Sequence, residues 1–520
     1  MGNAMDCDVA VVGAGPVGLM LAIALKKQGL SVRIFDKLPH TKREQRATII
    51  WSRCLEIFES LGIIEPFEAI AHRAHAADVY ARGNRLGAIR LGSVPSAWPH
   101  PFIIEQHDTE RLLAEHLAAL GVRVERPLEA RSVRSSDEEA ELELVGVSGS
   151  TLQVRARWVI GCEGSRSLVR EAMGSSFEGS RRADLQVLQV DAFARWRHAY
   201  DSSRSLFFLD DGVALGVFPV PGGAYRFFAF TVDVAPERND APTLDEMRAL
   251  IATAARTPEL ELTLTEPVWL NRARFQDRIA STLWKGRLLI CGDAAHVWAP
   301  VGGQGMNAGL QGAQNLAWKL AMVHKGVARP EILATYSDER RAVARRIIQS
   351  MRFNVVATPS SGLKLWALSK VLPAALSLRP VQRRLDLMFS GLKLAYRASP
   401  LSVGRDSGGA LRAGDRAPDI MVKTRGNGVQ RLHTMLRNDR FSLFVDSQVS
   451  ESSKDSIQSV LAASRAPVEM QIIEPASPLP ARDYRGFRNN MVLIRPDGYI
   501  GMLAGHGSAS RLKRYLEVFF

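Results

Sequence analysis

Cysteine is scarce in this 520-residue chain, and the four that are present fit neither a zinc site nor a dithiol redox pair. They are Cys7, Cys54, Cys162 and Cys291. Three of them lie in or beside apolar, strand-like runs, where a buried and inert thiol is the usual occupant. Such usage is typical of a reducing cytoplasm. The five histidines between residues 72 and 116 show no ligand spacing with a second cluster, so we expect no metal site.

Long apolar runs are also missing, which argues against a membrane span, since a span needs ~20 consecutive apolar residues. The run from Val9 to Leu25 is apolar, but glycines interrupt it, and a buried strand passing into a helix explains it better. The segment 361–378 is apolar as well. Lysines interrupt it, so we expect a packed helix there and not a membrane anchor.

Acidic residues are outnumbered by basic ones, 54 to 67, which gives a formal net charge of +13. The basic residues come as scattered pairs, such as Arg345-Arg346 and Arg383-Arg384. Because no long basic block or aromatic-interleaved stripe is present, we expect a solvated surface and no nucleic-acid partner. Attraction of small anions is a second interpretation of the same charge.

The hydrophobic pattern begins with one β-α-β unit. Residues 6–12 form a β-branched strand, an amphipathic helix follows and ends at Gly29, and residues 31–37 form the next strand. Such a unit predicts a parallel sheet with a right-handed crossover. Further helices are predicted at 51–61, at 108–120 with Asp108 as N-cap, and at 304–325, and further buried strands at 156–164 and 287–296.

A different pattern occupies residues 185–235, where short alternating strands predict an antiparallel sheet inserted into the first domain. The chain is thus predicted to be of the α/β class, with four parts. These are a discontinuous dinucleotide-binding domain at 1–75, 100–184 and 270–350, a sheet domain at 76–99 and 185–269, a helical segment at 351–410, and a small α/β domain at 411–520.

The first chemical motif is GAGPVG at 13–18, directly after a strand and at the start of a helix. Gly13 permits the tight turn, Gly15 lets the backbone approach a pyrophosphate, and Gly18 lets helix and strand pack closely. Pro16 opens the helix, whose N-terminus offers free N–H groups to phosphates. Asp36 ends the second strand, where a carboxylate can accept hydrogen bonds from ribose hydroxyls. This combination predicts a dinucleotide site.

The second motif, CGDAAH at 291–296 and the glycine-rich stretch after it, distinguishes FAD from NAD. Asp293 follows a buried strand and is placed to bind a ribityl chain. The helix that begins near Gly302 directs its N-terminus at the pyrimidine edge of a flavin. That edge becomes anionic on reduction, so the positive helix end stabilises it.

With these motifs the sequence resembles the single-component FAD-dependent aromatic hydroxylases, of the phenol and para-hydroxybenzoate hydroxylase class. It is most similar to the chlorophenol, nitrocatechol and hydroxyphenylpropionate monooxygenases. The resemblance rests on GAGPVG at 13–18, REQRATIIWSRCLEIFESLG at 43–62, GCEGSRSLVR at 161–170, CGDAAHVWAPVGGQGMN at 291–307, and the later MFSGLKLAYR at 388–397 and AGDRAPD at 413–419. The last hundred residues resemble a thioredoxin-like terminal domain, but they contain no Cys-x-x-Cys and cannot do dithiol chemistry.

The resemblance implies a Rossmann-like FAD-binding domain with an inserted antiparallel-sheet substrate domain, and it assigns a contact to each matching residue. Asp36 would hold the adenosine ribose, with Lys37 beside it. Arg46 would lie near the flavin and the NAD(P)H path, Gln106 would contact the flavin chain, and Asp293 would bind the ribityl group. The isoalloxazine would be cradled by the backbone of Gly302, Gly303, Gln304, Gly305, Met306 and Asn307. The sequence departs from the family at Glu163, where an aspartate is usual. The longer carboxylate could still accept hydrogen bonds from the backbone or from Arg166.

The implied reaction is hydroxylation of a phenolic or catecholic compound, with NAD(P)H and dioxygen as co-substrates and a flavin 4a-hydroperoxide as intermediate. The resemblance to chlorophenol and nitrocatechol monooxygenases implies that this compound carries halogen or nitro substituents. The sequence lacks a second strand-linked GxGxxG, so NAD(P)H is expected to dock transiently. A homodimer is the candidate assembly. Polycyclic aromatic polyketides are the alternative substrates. A non-hydroxylating flavin oxidoreductase and a noncatalytic interaction protein that uses its 350–400 helices are the alternative functions.

Arg46, His296 and Pro300 are the candidate catalytic residues, because the resemblance places them near the flavin. A structural role is the alternative for His296, and plain packing is the alternative for Pro300. Tyr225 and Arg226 are candidates to orient a phenolate, with surface positions as the alternative. Period-two alternation predicts that about half of the phenylalanines between 207 and 230 line the pocket and that the others face the outer core.

Overall fold

The structure of the chain is a computed structural model, which describes residues 5–41, 47–232, 235, 237–351, 359–405, 411–424, 428–476, 482–505 and 507–520. The helices in these ranges are α1 (Pro16–Lys27), α2 (Ser52–Ser60), α3 (Ile64–Ile70), α4 (Gln106–Ala119), α5 (Leu168–Ala172), α6 (Leu244–Ala255), α7 (Gln304–His324), α8 (Ile332–Met351), α9 (Gly362–Ser377), α10 (Arg379–Phe389), α11 (Glu451–Ala463) and α12 (Ala509–Glu517).

The strands of the same ranges form three large sheets and one small one. They are β1 (Cys7–Val12), β2 (Val32–Phe35), β3 (Ile49–Ile50), β4 (His72–Arg73), β5 (Ala76–Ala81), β6 (Asn84–Arg90), β7 (Phe102–Ile103), β8 (Val124–Glu125), β9 (Leu128–Ser135), β10 (Ala140–Gly146), β11 (Thr151–Gly161), β12 (Phe177–Arg195), β13 (Arg204–Asp210), β14 (Val213–Pro219), β15 (Tyr225–Val232), β16 (Glu261–Leu264), β17 (Leu270–Ala280), β18 (Trp284–Lys285), β19 (Leu288–Ile290), β20 (His296–Val297), β21 (Met421–Thr424), β22 (Gly428–Arg431), β23 (Phe441–Asp446), β24 (Val468–Pro475), β25 (Asn490–Ile494) and β26 (Ile500–Gly505).

The first sheet is built on the predicted β-α-β unit. Its strands follow the order β18-β19-β11-β1-β2-β8, and the β9–β10 hairpin extends it from β11. β1 is parallel to β2 and to β11, and β11 is parallel to β19, as the apolar, β-branched runs predict. Helices α1 and α7 pack against one another over this sheet. Because the strands are parallel, the turns that follow β1, β11 and β19 meet at one edge.

The second sheet is the predicted antiparallel insert, in the order β20-β17-β12-β15-β14-β13-β5-β6 with β16 beside β12. It reaches beyond residues 185–269, because β12 begins at Phe177 and pairs along its length with β17. One face packs on α6 and carries Phe208 and Phe227, whereas Phe218, Phe228 and Phe230 face the other way. The predicted alternation of these phenylalanines is confirmed.

The third sheet lies in the C-terminal part, in the order β22-β21-β24-β23-β25-β26, with β23 parallel to β24. A buried ion cluster fixes it to the first part of the chain. Glu339 on α8 accepts from Lys319 and from Arg495, each at 2.7 Å, and Arg495 also pairs with Asp497. The predicted fold class is confirmed, while the exact domain limits stay a prediction.

One boundary was predicted wrongly. Helix α4 begins at Gln106 with Glu105 as its N-cap residue, so Asp108 lies inside the first turn and is not the cap. Strand β7 ends at Ile103 and the helix starts three residues later, at Gln106, so the extended Glu105 takes the cap position ahead of Asp108. Among the described residues, we find no helix with the length and apolar content that a membrane crossing would need.

Candidate functional site

A single cavity of about 800 Å³ joins the edge of the first sheet to the inner face of the second. The residues at its first end follow β1, β2, β11 and β19, where the parallel strands meet. Most residues predicted for the site line it. These are Gly13, Gly15, Pro16, Asp36, Lys37, Gln106, Asp293, His296, Pro300, Gly302, Gly303, Gly305 and Met306. Gly18, Gln304 and Asn307 lie outside the lining, and Arg46 lies outside the described residues.

The glycine turn after β1 has three glycines with three separate roles. Gly13 has a φ of +99°, and a Cβ there would lie 2.6 Å from the carbonyl oxygen of Cys162. A Cβ on Gly18 would lie 1.9 Å from the carbonyl oxygen of Gly13. A Cβ on Gly15 would meet no atom within 4 Å, because this residue faces the cavity. The open space beside Gly15, at the start of α1, therefore fits a pyrophosphate.

Asp36 is held in place by the same turn. Its carboxylate accepts hydrogen bonds from the N–H groups of Ala14 at 2.7 Å and of Leu38 at 2.8 Å. Each carboxylate oxygen has a second lone pair, so both can still accept from ribose hydroxyls. Gln106 bridges two other segments, since its Oε1 accepts from Ala47 and its Nε2 donates to Glu110.

The second glycine turn precedes α7 and forms the middle of the cavity. Gly302 and Gly303 have φ values of +72° and +64°, and Gly305 has no atom within 4 Å of a built Cβ. Backbone N–H groups at the start of this 21-residue helix thus border open space, as a flavin pyrimidine edge requires. Asn307 supports the turn from behind, because its side chain accepts from Trp51 N and donates to the carbonyls of Ile49 and Gly303, each at 2.8 Å.

Two aromatic residues that were not predicted complete this part of the wall. Trp51 donates from Nε1 to the carbonyl oxygen of Gly302 at 2.9 Å and stacks on Phe389. Gln304 donates to the Phe389 carbonyl and therefore joins α7 to α10 instead of facing the cavity. Both rings lie within sequence landmarks of the family, at 43–62 and 388–397. Their pairing depends on the placement of α10, for which the sequence offers no signal.

Glu163, the departure from the family, binds the backbone. Its Oε1 accepts from the N–H of Val169 at 2.9 Å, while Oε2 is buried without a hydrogen-bond partner among the described residues. Burial raises the pKa of this carboxyl above its ordinary value, against the opposing effect of the hydrogen bonds. Of the two donors that the sequence offered to Glu163, the backbone makes the hydrogen bond and Arg166 does not.

His296 is buried and stacks on Trp298, with ring centroids 4.9 Å apart. Burial, with a smaller effect of the Arg340 charge, lowers the pKa of His296 to about 3. The imidazole is therefore neutral near neutral pH, which favours a structural role over acid–base catalysis.

The neutral His296 makes stability depend on pH. Between about pH 3 and its ordinary pKa of 6.5, the unfolded chain binds a proton that the folded protein does not, so stability falls as the pH falls through this window. His296→Phe should remove up to ~1.4 kcal/mol per pH unit from that slope in urea unfolding. His40→Gln, at an exposed histidine, is the control. An unchanged slope in His296→Phe would refute the neutral state.

Tyr225 and Arg226 do not reach the cavity. Arg226 is buried and binds both carboxylate oxygens of Asp191, at 2.7 and 2.5 Å, and it also contacts Glu105 and Thr48. Tyr225 packs in the outer core with the aromatic rings around Trp196. Both residues are buried and outside the cavity lining, so both interpretations, a phenolate contact and a surface position, are wrong for them.

Among the described residues, one group has the proximity expected of metal ligands, formed by Glu105, His107 and Asp108 within 4.8 Å. Its carboxylates already pair with Arg226 at 3.2 Å and Arg111 at 3.0 Å. Ion pairing explains the group, and it carries no metal assignment.

Comparison with known proteins identifies the family of this chain. The FAD binding domain model matches residues 6–351, and the model of the aromatic-ring hydroxylase C-terminal domain matches residues 411–520. The chain is 34% identical over 415 residues to 6-methylpretetramide 4-monooxygenase of Streptomyces rimosus, which covers 78% of this chain and 72% of the relative. It is 29% identical over 469 residues to pentachlorophenol 4-monooxygenase of Sphingobium chlorophenolicum, covering 87% and 83%.

The solved structure of OxyS anhydrotetracycline hydroxylase from Streptomyces rimosus superposes with a TM-score of 0.78 at 26% identity, over 99% of both chains. Family and structure agree with the glycine turns and with the two-sheet cavity. The chain belongs to the FAD-dependent aromatic-ring hydroxylases and is an FAD-dependent monooxygenase of aromatic compounds.

Proposed function

We propose that this enzyme hydroxylates an electron-rich ring of an extended, apolar, polycyclic phenol, with NAD(P)H as electron donor and dioxygen as oxygen donor. The width of the apolar wall on the second sheet carries this proposal. Lining side chains come from five neighbouring strands, β15, β14, β13, β5 and β6. Strands lie ~4.8 Å apart, so this wall is about 19 Å wide.

The composition of the wall suits a flat, apolar substrate. Phe207, Phe218, Phe228 and Phe230 supply ring faces, and Gly216 and Ala77 leave room between them. Apolar burial drives binding, and the ring faces offer stacked and edge-to-face contacts. Such a surface extends well past a single ring, which favours the polycyclic substrate over the single-ring phenols expected from sequence. The similarity to 6-methylpretetramide and anhydrotetracycline enzymes also supports it.

The residues of this chain have separable tasks in the reaction. When bound, FAD supplies electron transfer and dioxygen activation. The glycine turns at Gly15 and Gly305 give it backbone donors and two positive helix ends, and the phenylalanine wall keeps water away from the reacting ring. Thr48 lines the cavity while its Oγ1 accepts from Arg226 at 3.2 Å. None of the described residues accepts the hydroxyl proton of Thr48, so this proton could be donated to a substrate oxygen. Such a donor would stabilise a phenolate, the more nucleophilic ring.

The proposal is tested by measuring hydroxylated product together with NAD(P)H consumption for a panel of single-ring and polycyclic phenols. Polycyclic phenols should give product in proportion to NAD(P)H consumed. Uncoupled NAD(P)H oxidation that yields peroxide does not count as activity. Coupled turnover of single-ring phenols only would favour the pentachlorophenol-like alternative, and absence of coupled turnover with both would overturn hydroxylation of phenols.

Narrowing the far end of the wall should separate the two substrate classes. Ala77 lines the cavity from β5, and Ala77→Phe places a ring in that space. Overpacking costs ~1–3 kcal/mol, so kcat/KM for a polycyclic phenol should fall about tenfold or more. The same variant should keep wild-type kcat/KM for a single-ring phenol, which serves as the internal control. Equal losses for both substrates would contradict the proposed use of this end.

A further inference from the structure

Helices α9 and α10 form a hairpin with an unusual outer face. The inner side of α9 is apolar and buried at Leu365 and Leu376. Its outer side carries two lysines but also large apolar side chains that remain exposed, up to 79% at Leu363. We call the set of Leu363, Trp366, Val371, Leu378 and Met388 the apolar outer face. Soluble monomers rarely leave this many large apolar side chains uncovered on one short hairpin, so this face points to a partner.

Every exposed charge on the hairpin and directly after it is positive. The basic residues are Lys364, Lys370, Arg379, Arg383, Arg384 and Lys393. The single acid of the segment, Asp386, is buried and accepts from Ser93 N and Oγ at 2.7 Å, so it does not offset them. Arg379, Arg383, Arg384 and Lys393 also border a surface hollow of about 450 Å³. The charge is therefore concentrated where an anionic head group could enter.

Apolar side chains beside a one-signed basic cluster are typical of helices that lie in a membrane interface. We propose that the α9–α10 hairpin docks on the surface of an anionic lipid bilayer. The apolar outer face enters the boundary between head groups and acyl chains, and the basic cluster binds lipid phosphates. The hairpin lies on the bilayer and does not cross it, because α9 has 16 residues and two lysines.

The same hairpin covers one end of the substrate cavity. Leu376 packs against the backbone of Gly87 on β6, Gln382 donates to the carbonyl of Ala88, and Phe389 lines the cavity itself. Docking would place this cover against the lipid phase, into which apolar aromatic compounds partition. The docking itself does not depend on the proposed substrate, so the two can fail separately.

Flotation with vesicles tests the docking on the full-length, FAD-loaded protein. The protein should float with phosphatidylcholine vesicles that contain phosphatidylglycerol, and much less with pure phosphatidylcholine. Arg383→Glu/Arg384→Glu should lower the partition coefficient about tenfold or more, since each basic residue near an anionic surface contributes ~1 kcal/mol. Val371→Glu puts a charge into the apolar outer face and should lower the partition coefficient to a similar extent. High salt should weaken binding as well.

Matched controls lie in the C-terminal part. Arg511→Glu/Arg514→Glu makes the same charge change at exposed residues of α12, and Val429→Glu the same apolar change on β22. Both should bind as the wild type does. Failure of the wild type to float with anionic vesicles, or equal binding by all variants, would overturn the proposal. Sedimentation that shows a dimer broken by Val371→Glu, without vesicle binding, would assign this face to a second copy instead.

Discussion

Replacing Gly15 with alanine is expected to weaken FAD binding about ten- to a hundredfold and to leave the apoprotein as stable as before. A Cβ at Gly15 clashes with nothing in the protein and only fills the space beside the start of α1. Its φ of −71° suits alanine, so the free energy of unfolding should stay unchanged or rise by up to ~1 kcal/mol. The lost phosphate contacts are charge-assisted hydrogen bonds, worth ~1.5–3 kcal/mol each.

The measurement is FAD titration of the apoprotein by flavin fluorescence, together with urea unfolding of the same sample. Gly18→Ala is the matched comparison, because a Cβ there would lie 1.9 Å from a backbone oxygen. It should lose stability and FAD binding together. FAD binding by Gly15→Ala as tight as that of the wild type would show that the pyrophosphate lies elsewhere.

Glu339→Gln is expected to lower the free energy of unfolding by about 3–5 kcal/mol, because it leaves the buried Lys319 without an anionic partner and Arg495 with Asp497 alone. Glu339 accepts from Lys319 and Arg495, and all three side chains are buried. Despite burial, Arg495 and Lys319 hold the pKa of Glu339 well below its ordinary value. Its stabilising effect is therefore present above the ordinary pKa of about 4.5 and is lost as the pH falls below it.

Urea unfolding at neutral pH, followed by tryptophan fluorescence, measures this effect, since Trp318 is buried beside Lys319 and Arg495. Glu517→Gln is the control, because Glu517 only pairs with Lys513 at 3.8 Å on the surface. It should change the free energy of unfolding by less than ~0.5 kcal/mol. Similar losses in the two variants would mean that the buried cluster contributes little to stability.

Local signals predicted which residues line the first end of the cavity, at the turns after β1 and β2. The turn at 13–18 joins a strand to a helix within a few residues, and Asp36 follows at the end of the next strand, so spacing alone defines the arrangement. The same holds for the turn before α7. Period-two alternation likewise predicted that Phe227 and Phe228 face opposite sides of their strand.

Long-range contacts escaped prediction for a physical reason. Arg226 was a substrate candidate, but Asp191 neutralises it from the neighbouring strand, 35 residues away in sequence. Glu339 and Arg495 are 156 residues apart and meet only when the terminal part packs on α8. The sequence pattern specifies neither register nor packing between parts, and these two decide which charges are buried together.

The substrate wall is a similar case. Residues 76–99 were predicted to share a sheet with 185–269, but the width of the wall depends on the strand order β15-β14-β13-β5-β6. The parallel pairing of β5 with β13, which sets this order, has no local sequence signal. The closing ring, Phe389, comes from α10. The width of this wall is the observation that supports the proposed polycyclic substrate over a single-ring phenol.

Isotope labelling tests the central claim most directly. The FAD-loaded enzyme is supplied with NAD(P)H, a polycyclic phenol and isotopically labelled dioxygen, and the product is analysed by mass spectrometry. We predict a hydroxylated product that carries one labelled oxygen atom and forms in proportion to the NAD(P)H consumed. NAD(P)H oxidation without product, or product whose new oxygen comes from water, would contradict monooxygenation by this protein.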